Sequence, residues 1–234
     1  MTDLFETLQG PVFTGLDANF SIWTNTLITL YMTVLTMLFT TLIGVPLGVL
    51  LFETTGSRNP RVRRLHDVLG FIVNVGRSFP FIILIIALLP VTRLVVGSVT
   101  GPNAAVFALT VSAIPFLARL VEINLREIPA GKIEAVRMMG ATRSQVIRQV
   151  LLPEALPGLI GSLTTTAIAV IGYTAMAGAV GGQGLGDLAI RMGYNSYDTV
   201  VMTATVLVLV LIVITIQAIG SRCARAVDHR ARNT

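Results

Sequence analysis

Four long runs of this sequence contain no charged side chain. They cover residues 18–52, 94–118, 155–186 and 199–221, and each exceeds the roughly 20 apolar residues that a helix needs to cross a hydrocarbon core of about 30 Å. Charged residues make up only 12% of the chain, against about 25% in a soluble domain, and the mean hydropathy is +0.79. This composition excludes a soluble enzyme, a disordered chain and a disulfide-rich secreted scaffold. The chain is predicted to be an integral membrane protein.

A fifth apolar segment lies between the first two runs and contains Arg77 beside the sequence FIILIIALLP (81–90). Since so hydrophobic a stretch is costly to expose to water, we count it as a further membrane span. The sequence therefore predicts an all-α, polytopic fold, one transmembrane domain over residues 1–234. Its five spans are expected at about 22–52, 65–91, 103–125, 154–179 and 199–221.

The basic residues predict how these spans are oriented. Fourteen of the 17 Lys and Arg residues lie after the first and fifth spans or at and after the end of the third, on one side of the membrane. Cytoplasmic loops are enriched in Lys and Arg. We therefore expect the N-terminus outside and the C-terminus inside, which an odd number of spans also requires.

The longest segment between two spans, residues 129–153, has the pattern of two short helices around a glycine turn. Ile133, Val136 and Met139 recur at three-residue spacing, and Gly140 follows as a C-terminal stop. Thr142 and Gln145 have the spacing of a capping box, which predicts a second helix from Arg143 to Pro153. An amphipathic loop resting on lipid headgroups would give a similar pattern.

This segment resembles the EAA loop of the membrane subunits of bacterial ABC importers. Five positions match that motif at its spacing, namely Glu134, Ala135, Gly140, Leu152 and Pro153. Val136 and Val150 replace the usual Ala and Ile, and both replacements are apolar. We call residues 129–153 the coupling segment.

The resemblance extends over nearly the whole chain from about residue 20. Residues 74–90, 152–160 and 172–186 are similar to the permease subunit of methionine importers. That resemblance implies the type I ABC importer permease fold, a location in the bacterial inner membrane, and import of methionine by alternating access, in D- and L-forms and as derivatives. The implied partners are a second copy of the chain, two cytoplasmic ABC ATPase subunits and an extracytoplasmic methionine-binding protein.

Two other functions fit the same residues. The chain could be the permease of an importer for another small solute, such as an osmoprotectant, or an ATP-independent channel or scaffold. Neither an enzyme nor a nucleic-acid-binding protein is expected, and we predict no catalytic residue and no metal ligand.

The energy for transport is expected to come from another chain. The only lysine, Lys132, follows Gly131 but precedes Ile133, so it does not belong to a phosphate-binding P-loop motif, which has Ser or Thr there. ATP and Mg²⁺ would therefore bind to the partner ATPase, and this chain needs no cofactor of its own.

We expect the coupling segment to contact that ATPase. Its apolar side chains would fill a groove, Glu134 and Arg137 would make polar contacts, and Gly140 would allow the turn. The residues assigned to this site are Ile133, Glu134, Ala135, Val136, Arg137, Met139, Gly140, Ala141, Leu152 and Pro153.

Four polar or polarizable residues are candidates for the translocation path, namely Arg77, Ser78, Tyr173 and Met176. An arginine costs about 2.5–3.5 kcal/mol at the centre of a membrane helix, so Arg77 should face the bundle, a dimer interface or water. Its structural alternative is a cation bonded to the carbonyls that Pro80 leaves free. For Tyr173 and Met176 the alternative is ordinary helix packing. The run GGQGLG (181–186) lacks the spacing of a phosphate loop and is interpreted as a flexible outer loop or gate.

Overall fold

A computed structural model of the protein describes residues 21–228 except Gly56 and Arg58. These residues form helices and turns, with no strand among them, in agreement with the all-α prediction. The helices in chain order are α1 (Ile22–Thr54), α2 (Pro60–Ser78), α3 (Phe81–Ala87), α4 (Leu89–Val96), α5 (Pro102–Arg126), α6 (Ala130–Met138), α7 (Arg143–Val146), α8 (Leu152–Gly178), α9 (Leu185–Leu188) and α10 (Thr199–Val227). Two π-helical turns, Ile147–Leu151 and Ala189–Tyr194, follow α7 and α9.

Four helical stretches of the described residues are long and apolar enough to cross a membrane. They are α1, α5, α10 and the continuous stretch from Arg143 to Gly178. The number rises to five when α2 and α3 are counted as one broken span. The five predicted spans are thus present only if this pair crosses the membrane together.

The second predicted span, 65–91, is not one helix. The chain leaves the helical conformation at Phe79 and Pro80 and starts a new helix at Phe81. Pro80 has no N–H to donate, and it disfavours helical torsions at the residue before it. A further break at Leu88 separates α3 from α4, which has Pro90 in its first turn and extends past the predicted end to Val96.

The predicted stop at Pro153 is also absent. Helix continues from Arg143 to Gly178, and the π-helical turn Ile147–Leu151 lies immediately before Leu152 and Pro153. In that turn the N–H of Leu152 donates to the carbonyl of Ile147, five residues back. In a regular α-helix, the ring of a proline clashes with the carbonyl four residues earlier. The π turn before Pro153 shifts the carbonyls of that turn, so Pro153 is accommodated inside a helix.

The structure divides into two compact units, each built from three stretches of the chain. Unit 1 contains the described residues up to 39, together with 79–113 and 167–216. One of its apolar clusters joins α1, α3, α5 and α8 through buried side chains such as Met32, Phe81, Ile85 and Leu109. A second cluster packs the start of α1 against α9 and α10 through Ile22, Leu185, Leu188 and Val201.

Unit 2 contains residues 40–78, 114–166 and the described residues from 217 onward. Its main apolar cluster joins the end of α5, the coupling segment and the start of α8. The fully buried members include Leu117, Val121, Leu125 and Leu151, and Val146 is nearly so. The coupling segment therefore shares a hydrophobic core with two of the membrane helices.

Large apolar side chains cover the outer faces of the membrane helices. On α10, Leu207 and Leu211 are more than half exposed, and so are Trp23 and Leu27 on α1. A surface of this kind suits lipid and would be unusual on a soluble monomer. The predicted outer N-terminal stretch, residues 1–20, lies outside the described residues, as do Arg58, Arg230 and Arg232 of the basic side.

Candidate coupling site and translocation path

The coupling segment begins with α6, a two-turn helix with one face packed on its own chain. Ile133 and Val136 are partly buried against the main apolar cluster of unit 2. Glu134, Ala135 and Arg137 are exposed. The apolar stripe predicted to enter a partner's groove thus holds α6 onto the permease, and the polar side of α6 faces outward.

The methionines at the end of α6 form its exposed apolar surface. Met138 is 89% exposed and Met139 is 85% exposed. Because α6 ends at Met138, Met139 is the C-cap residue and no longer continues the stripe of Ile133 and Val136. The sequence prediction included Met139 but missed Met138, since Met138 falls outside the three-residue spacing.

Gly140 ends α6 in the left-handed conformation, with φ of +85°. The N–H of Gly140 donates to the carbonyl of Arg137 at 3.0 Å, and the N–H of Ala141 donates to the carbonyl of Val136 at 3.3 Å. These two bonds form a Schellman motif, which also brings the side chains of Ala141 and Val136 into the same apolar cluster. No atom lies within 4 Å of where a Cβ would be, so glycine is required by torsion and not by lack of space.

The second half of the segment starts at the predicted capping box. The N–H of Gln145 donates to Oγ1 of Thr142 at 3.4 Å, and the N–H of Thr142 donates to Oε1 of Gln145 at 2.8 Å. Farther along, Leu152 is partly buried beside the main apolar cluster of unit 2 and Pro153 is exposed. The glycine turn and the cap together fix the angle at which α6 leaves α8.

An ion pair braces α6 from the other side. Nζ of Lys132 donates to Oε1 of Glu154, at 2.5 Å, and so joins the first turn of α6 to the first turn of α8. The half-exposed lysine and the partly buried glutamate are 22 residues apart in sequence. Sequence reasoning did not find this contact because neither helix determines alone where the other one lies.

A buried carboxylate lies at the end of α5, where the coupling segment begins. Glu122 has no exposed surface, and its two oxygens accept hydrogen bonds from Arg119 at 2.7 Å and Arg126 at 2.5 Å. Arg126 also donates to Oγ1 of Thr55, just past the end of α1, at 3.3 Å. The spacing of these three charges, i to i+3 and i to i+4, was visible in the sequence, but it resembled an ordinary charged rim.

A cleft of about 880 Å³ opens in unit 2 between the coupling segment and the end of α1. Charged residues line both walls, with Glu53 on one side and Glu134, Arg137 and Arg143 on the other. The polar face of α6 therefore borders an open, charged cleft.

Two candidates for the translocation path lie one turn apart on α8. The ring of Tyr173 stacks on Phe81, with centroids 4.8 Å apart and planes 15° apart, and is partly buried in the core of unit 1. Met176 is 49% exposed. Tyr173 is thus fixed by packing, whereas Met176 presents its thioether at the surface of the chain.

The other two candidates, Arg77 and Ser78, end α2. Both are exposed, and Oγ of Ser78 donates to the carbonyl of Asn74 at 2.8 Å. Within the residues that the structure describes, the guanidinium of Arg77 makes no hydrogen bond or ion pair, so the predicted bond to carbonyls freed by Pro80 is not found. Arg77 and Ser78 belong to unit 2, and Tyr173 and Met176 belong to unit 1.

The loop GGQGLG, interpreted from the sequence as a flexible outer loop or gate, is hydrogen-bonded at both ends. The N–H of Gly182 donates to the carbonyl of Ala177 at 2.9 Å, and the carbonyl of Gly181 accepts from Gly101 at 2.8 Å. The N–H of Leu185 donates to the buried hydroxyl of Thr29 on α1 at 2.9 Å. The loop is therefore joined by hydrogen bonds to other segments of unit 1.

Comparison with known proteins identifies the family. Residues 44–233 match the model for the inner membrane component of binding-protein-dependent transport systems. The chain belongs to this family. As a member of it, the chain is a multi-pass inner-membrane protein and the permease subunit of an ABC transporter.

Similar proteins narrow the comparison. The probable D-methionine transport system permease protein MetI of Vibrio cholerae serotype O1 is 48% identical over 202 residues, 86% of this chain and 90% of that protein. The methionine import system permease protein MetP of Bacillus subtilis is 48% identical over 182 residues, 77% of this chain and 82% of that protein. The resemblance inferred from the sequence motifs is therefore confirmed.

Solved structures agree with this result. A subunit of the MetNI methionine ABC transporter in an inward-facing conformation superposes with a TM-score of 0.86 at 46% identity, covering 89% of this chain and 96% of that chain. A chain of an amino acid ABC transporter solved with histidines gives a TM-score of 0.71 at 18% identity over 98% of this chain and 99% of that chain, which shows the shared fold alone. The family member thus has the type I importer permease fold that was predicted.

Proposed function

We propose that this family member is the membrane-spanning subunit of an ATP-driven importer for methionine. Two copies of the chain form the translocation unit, and they carry D- and L-methionine and close derivatives into the cytoplasm by alternating access. The observation that carries this proposal is the near 48% identity, over most of the chain, to proteins named as methionine permeases from distant bacteria.

Two cytoplasmic ABC ATPase subunits supply the energy, and ATP and Mg²⁺ bind to them. An extracytoplasmic binding protein delivers the solute, consistent with membership in a family of binding-protein-dependent systems. The coupling segment faces the cytoplasm, the N-terminus is outside and the C-terminus is inside. The concentration of basic residues around the coupling segment and at and after the end of α10 supports this orientation.

The contact surface for the ATPase is the exposed edge of α6 and its turn. Met138 and Met139 supply flexible, polarizable apolar contact, while Glu134 and Arg137 add charge beside the open cleft. Ala135 is exposed on the same face, without bulk that would block approach. Ile133 and Val136 lie on the buried face of α6 and hold this surface against the main apolar cluster of unit 2.

Movement of the ATPase passes into the membrane through three rigid connections. The Schellman turn at Gly140 and Ala141 sets the angle of α6, the ion pair between Lys132 and Glu154 ties it to α8, and helix continues from Arg143 through Leu152 and Pro153 to Gly178. A displacement at α6 therefore moves the start of α8 within unit 2, in the way that packed elements transmit conformational change.

The translocation path includes Met176 and Tyr173 on α8 and Arg77 with Ser78 at the end of α2. The exposed thioether of Met176 suits a thioether solute. The exposed guanidinium at Arg77 suits a dimer interface or a water-filled passage, because lipid contact would be costly there. Both assignments depend on the second copy completing the path.

Reconstitution tests this proposal. The permease, its ATPase and its binding protein are placed in liposomes, ATP is enclosed on the ATPase side, and labelled methionine is added with the binding protein. We expect accumulation against the gradient that stops when a non-hydrolysable ATP analogue replaces ATP. Uptake of an osmoprotectant such as glycine betaine in place of methionine would assign another solute, and flux that is indifferent to ATP would indicate a channel.

A further inference from the structure

A second polar cavity lies in unit 1, far along the sequence from the coupling segment. It has a volume of about 360 Å³ and is lined by the first two turns of α1, the loop after α8, and the stretch from α9 into the π-helical turn. Its lining residues are Thr24, Asn25, Ile28, Gly181, Gln183, Asp187 and Arg191. Small-ligand pockets span roughly 300–1,000 Å³, so the cavity has the size for a small organic molecule.

Two opposite charges are fixed side by side in this cavity. Nε of Arg191 donates to Oδ1 of Asp187 at 2.9 Å, and its Nη2 lies 2.7 Å from Oδ2. A guanidinium has five donors and a carboxylate has about four acceptor positions, and the contact between these two side chains uses two donors and two acceptor atoms. The carboxylate is 14% exposed and the guanidinium 41% exposed.

The walls of the cavity are shaped in advance. The hydrogen bonds of Gly181, Gly182 and Leu185 fix the loop to its neighbours. Gln183 is held at φ of +64°, a torsion that a side chain rarely adopts. Such strain persists where the surrounding structure imposes it, and it is concentrated at binding sites. The exposed amide of Gln183 lies at the rim, and Ile28 provides an apolar wall.

We infer that this cavity binds a free α-amino acid, with its ammonium group at Asp187 and its carboxylate at Arg191. An α-amino acid zwitterion carries both charges on groups attached to one carbon, so it can contact the two side chains at once, whereas a singly charged ligand can complement only one of them. An uncharged side chain of the ligand would lie against Ile28. This inference deepens the proposed function and rests on it for direction, because the proposed orientation places the cavity at the outer end, where solute would enter.

The test uses the permease assembled with its ATPase in nanodiscs and a photoreactive methionine analogue with a diazirine in its side chain. After illumination, mass spectrometry locates the labelled residues. We expect labels on the residues that line this cavity. Methionine should compete, whereas N-acetylmethionine, which lacks the ammonium, and methioninamide, which lacks the carboxylate, should compete at least about tenfold less well, the usual cost of losing one charged hydrogen-bonding partner.

Variants separate binding from a purely structural ion pair. Asp187→Asn should abolish the preference for methionine over N-acetylmethionine, and Arg191→Gln should abolish the preference over methioninamide. A general loosening of the loop would weaken all competitors equally and would overturn the inference. Asp198→Asn is the matched control, because Asp198 caps α10 through the N–H groups of Val200 and Val201, and asparagine caps equally well.

The outcome is distinguishable from a failure of the proposed function. Uphill methionine uptake without labels in the cavity, or with competition that ignores the two charges, overturns this inference alone. Labelling that depends on both charges, in a complex that transports no methionine, supports the cavity and overturns the proposed solute.

Discussion

Nζ of Lys132 lies 2.5 Å from Oε1 of Glu154, so a short surface helix and a membrane helix are joined by one ion pair. The pair is partly exposed, and such pairs contribute only about 0–1 kcal/mol to stability. Its value to the protein therefore lies in geometry, since it fixes α6 at the end opposite to Gly140.

Removing this pair should uncouple transport from ATP hydrolysis. For Lys132→Met we expect methionine uptake per ATP hydrolysed to fall about two- to fivefold, the equivalent of the energy of an exposed pair, with little change in thermal stability. The double variant Lys132→Glu with Glu154→Lys should recover most of the ratio. Arg148→Met, a change of charge in the same segment, serves as the control, and an equal loss there would contradict the assignment.

The turn at Gly140 should tolerate substitution according to torsion and not size. Gly140→Ala is expected to destabilise the segment by about 1–2 kcal/mol, the cost of a left-handed torsion for a residue with a Cβ, while Gly140→Asn should cost less because asparagine adopts this torsion more readily. Gly131→Ala, also in open space but inside α6, should be neutral or stabilising by up to about 1 kcal/mol. Thermal melting of the complex and the fraction of bound ATPase measure both effects.

Substitutions on the exposed face of α6 should weaken ATPase binding, whereas substitutions on its buried face should lower the stability of the permease. Met138→Gln and Met139→Gln should each weaken ATPase binding by about tenfold or more, because a buried methionine is worth about 1.5–3 kcal/mol. Neither change should alter the melting temperature of the permease alone, since both side chains are exposed.

Ile133→Ala should instead lower the stability of the permease by about 2 kcal/mol, since it removes packing from the core of unit 2. ATPase titration and melting curves on the same three variants test this division. A stable Ile133→Ala variant that loses only its ATPase would return Ile133 to the contact surface.

Among the charged residues at the end of α5, Glu122 should be the one whose substitution lowers the stability of the permease most. Glu122→Gln leaves Arg119 and Arg126 without their shared anion, and breaking a buried ion pair on one side costs about 3–5 kcal/mol. We expect a lower yield of folded permease and a lower melting temperature. Glu127→Gln, an exposed carboxylate five residues later, should leave both unchanged.

Local signals in the sequence predicted local structure well. Gly140 and the capping box of Thr142 and Gln145 occur as expected, because each depends on a few neighbouring residues. The sequence did not predict which surface the apolar stripe of α6 covers. Ile133 and Val136 show that a helix has an apolar face, but only the tertiary structure shows that the face covers its own chain.

Other features depend on the geometry of a neighbouring turn or on contacts between distant segments, which the identity of a residue does not specify. Pro80 does break a helix as its chemistry dictates, whereas Pro153 lies within one, because the π turn before it removes the conflict. The ion pair between Lys132 and Glu154 and the cavity around Asp187 both join segments distant in sequence. Neither has a signature in a single sequence, since each residue separately resembles a solvated surface charge.

The ion pair of Lys132 also offers an experimental handle. Because this is the only lysine in the chain, an amine-reactive dye or crosslinker meets a single side-chain target, in the first turn of the helix that we propose contacts the ATPase. The reactivity of Lys132 through a cycle of ATP hydrolysis would report whether its ion pair with Glu154 opens, without any change to the natural sequence.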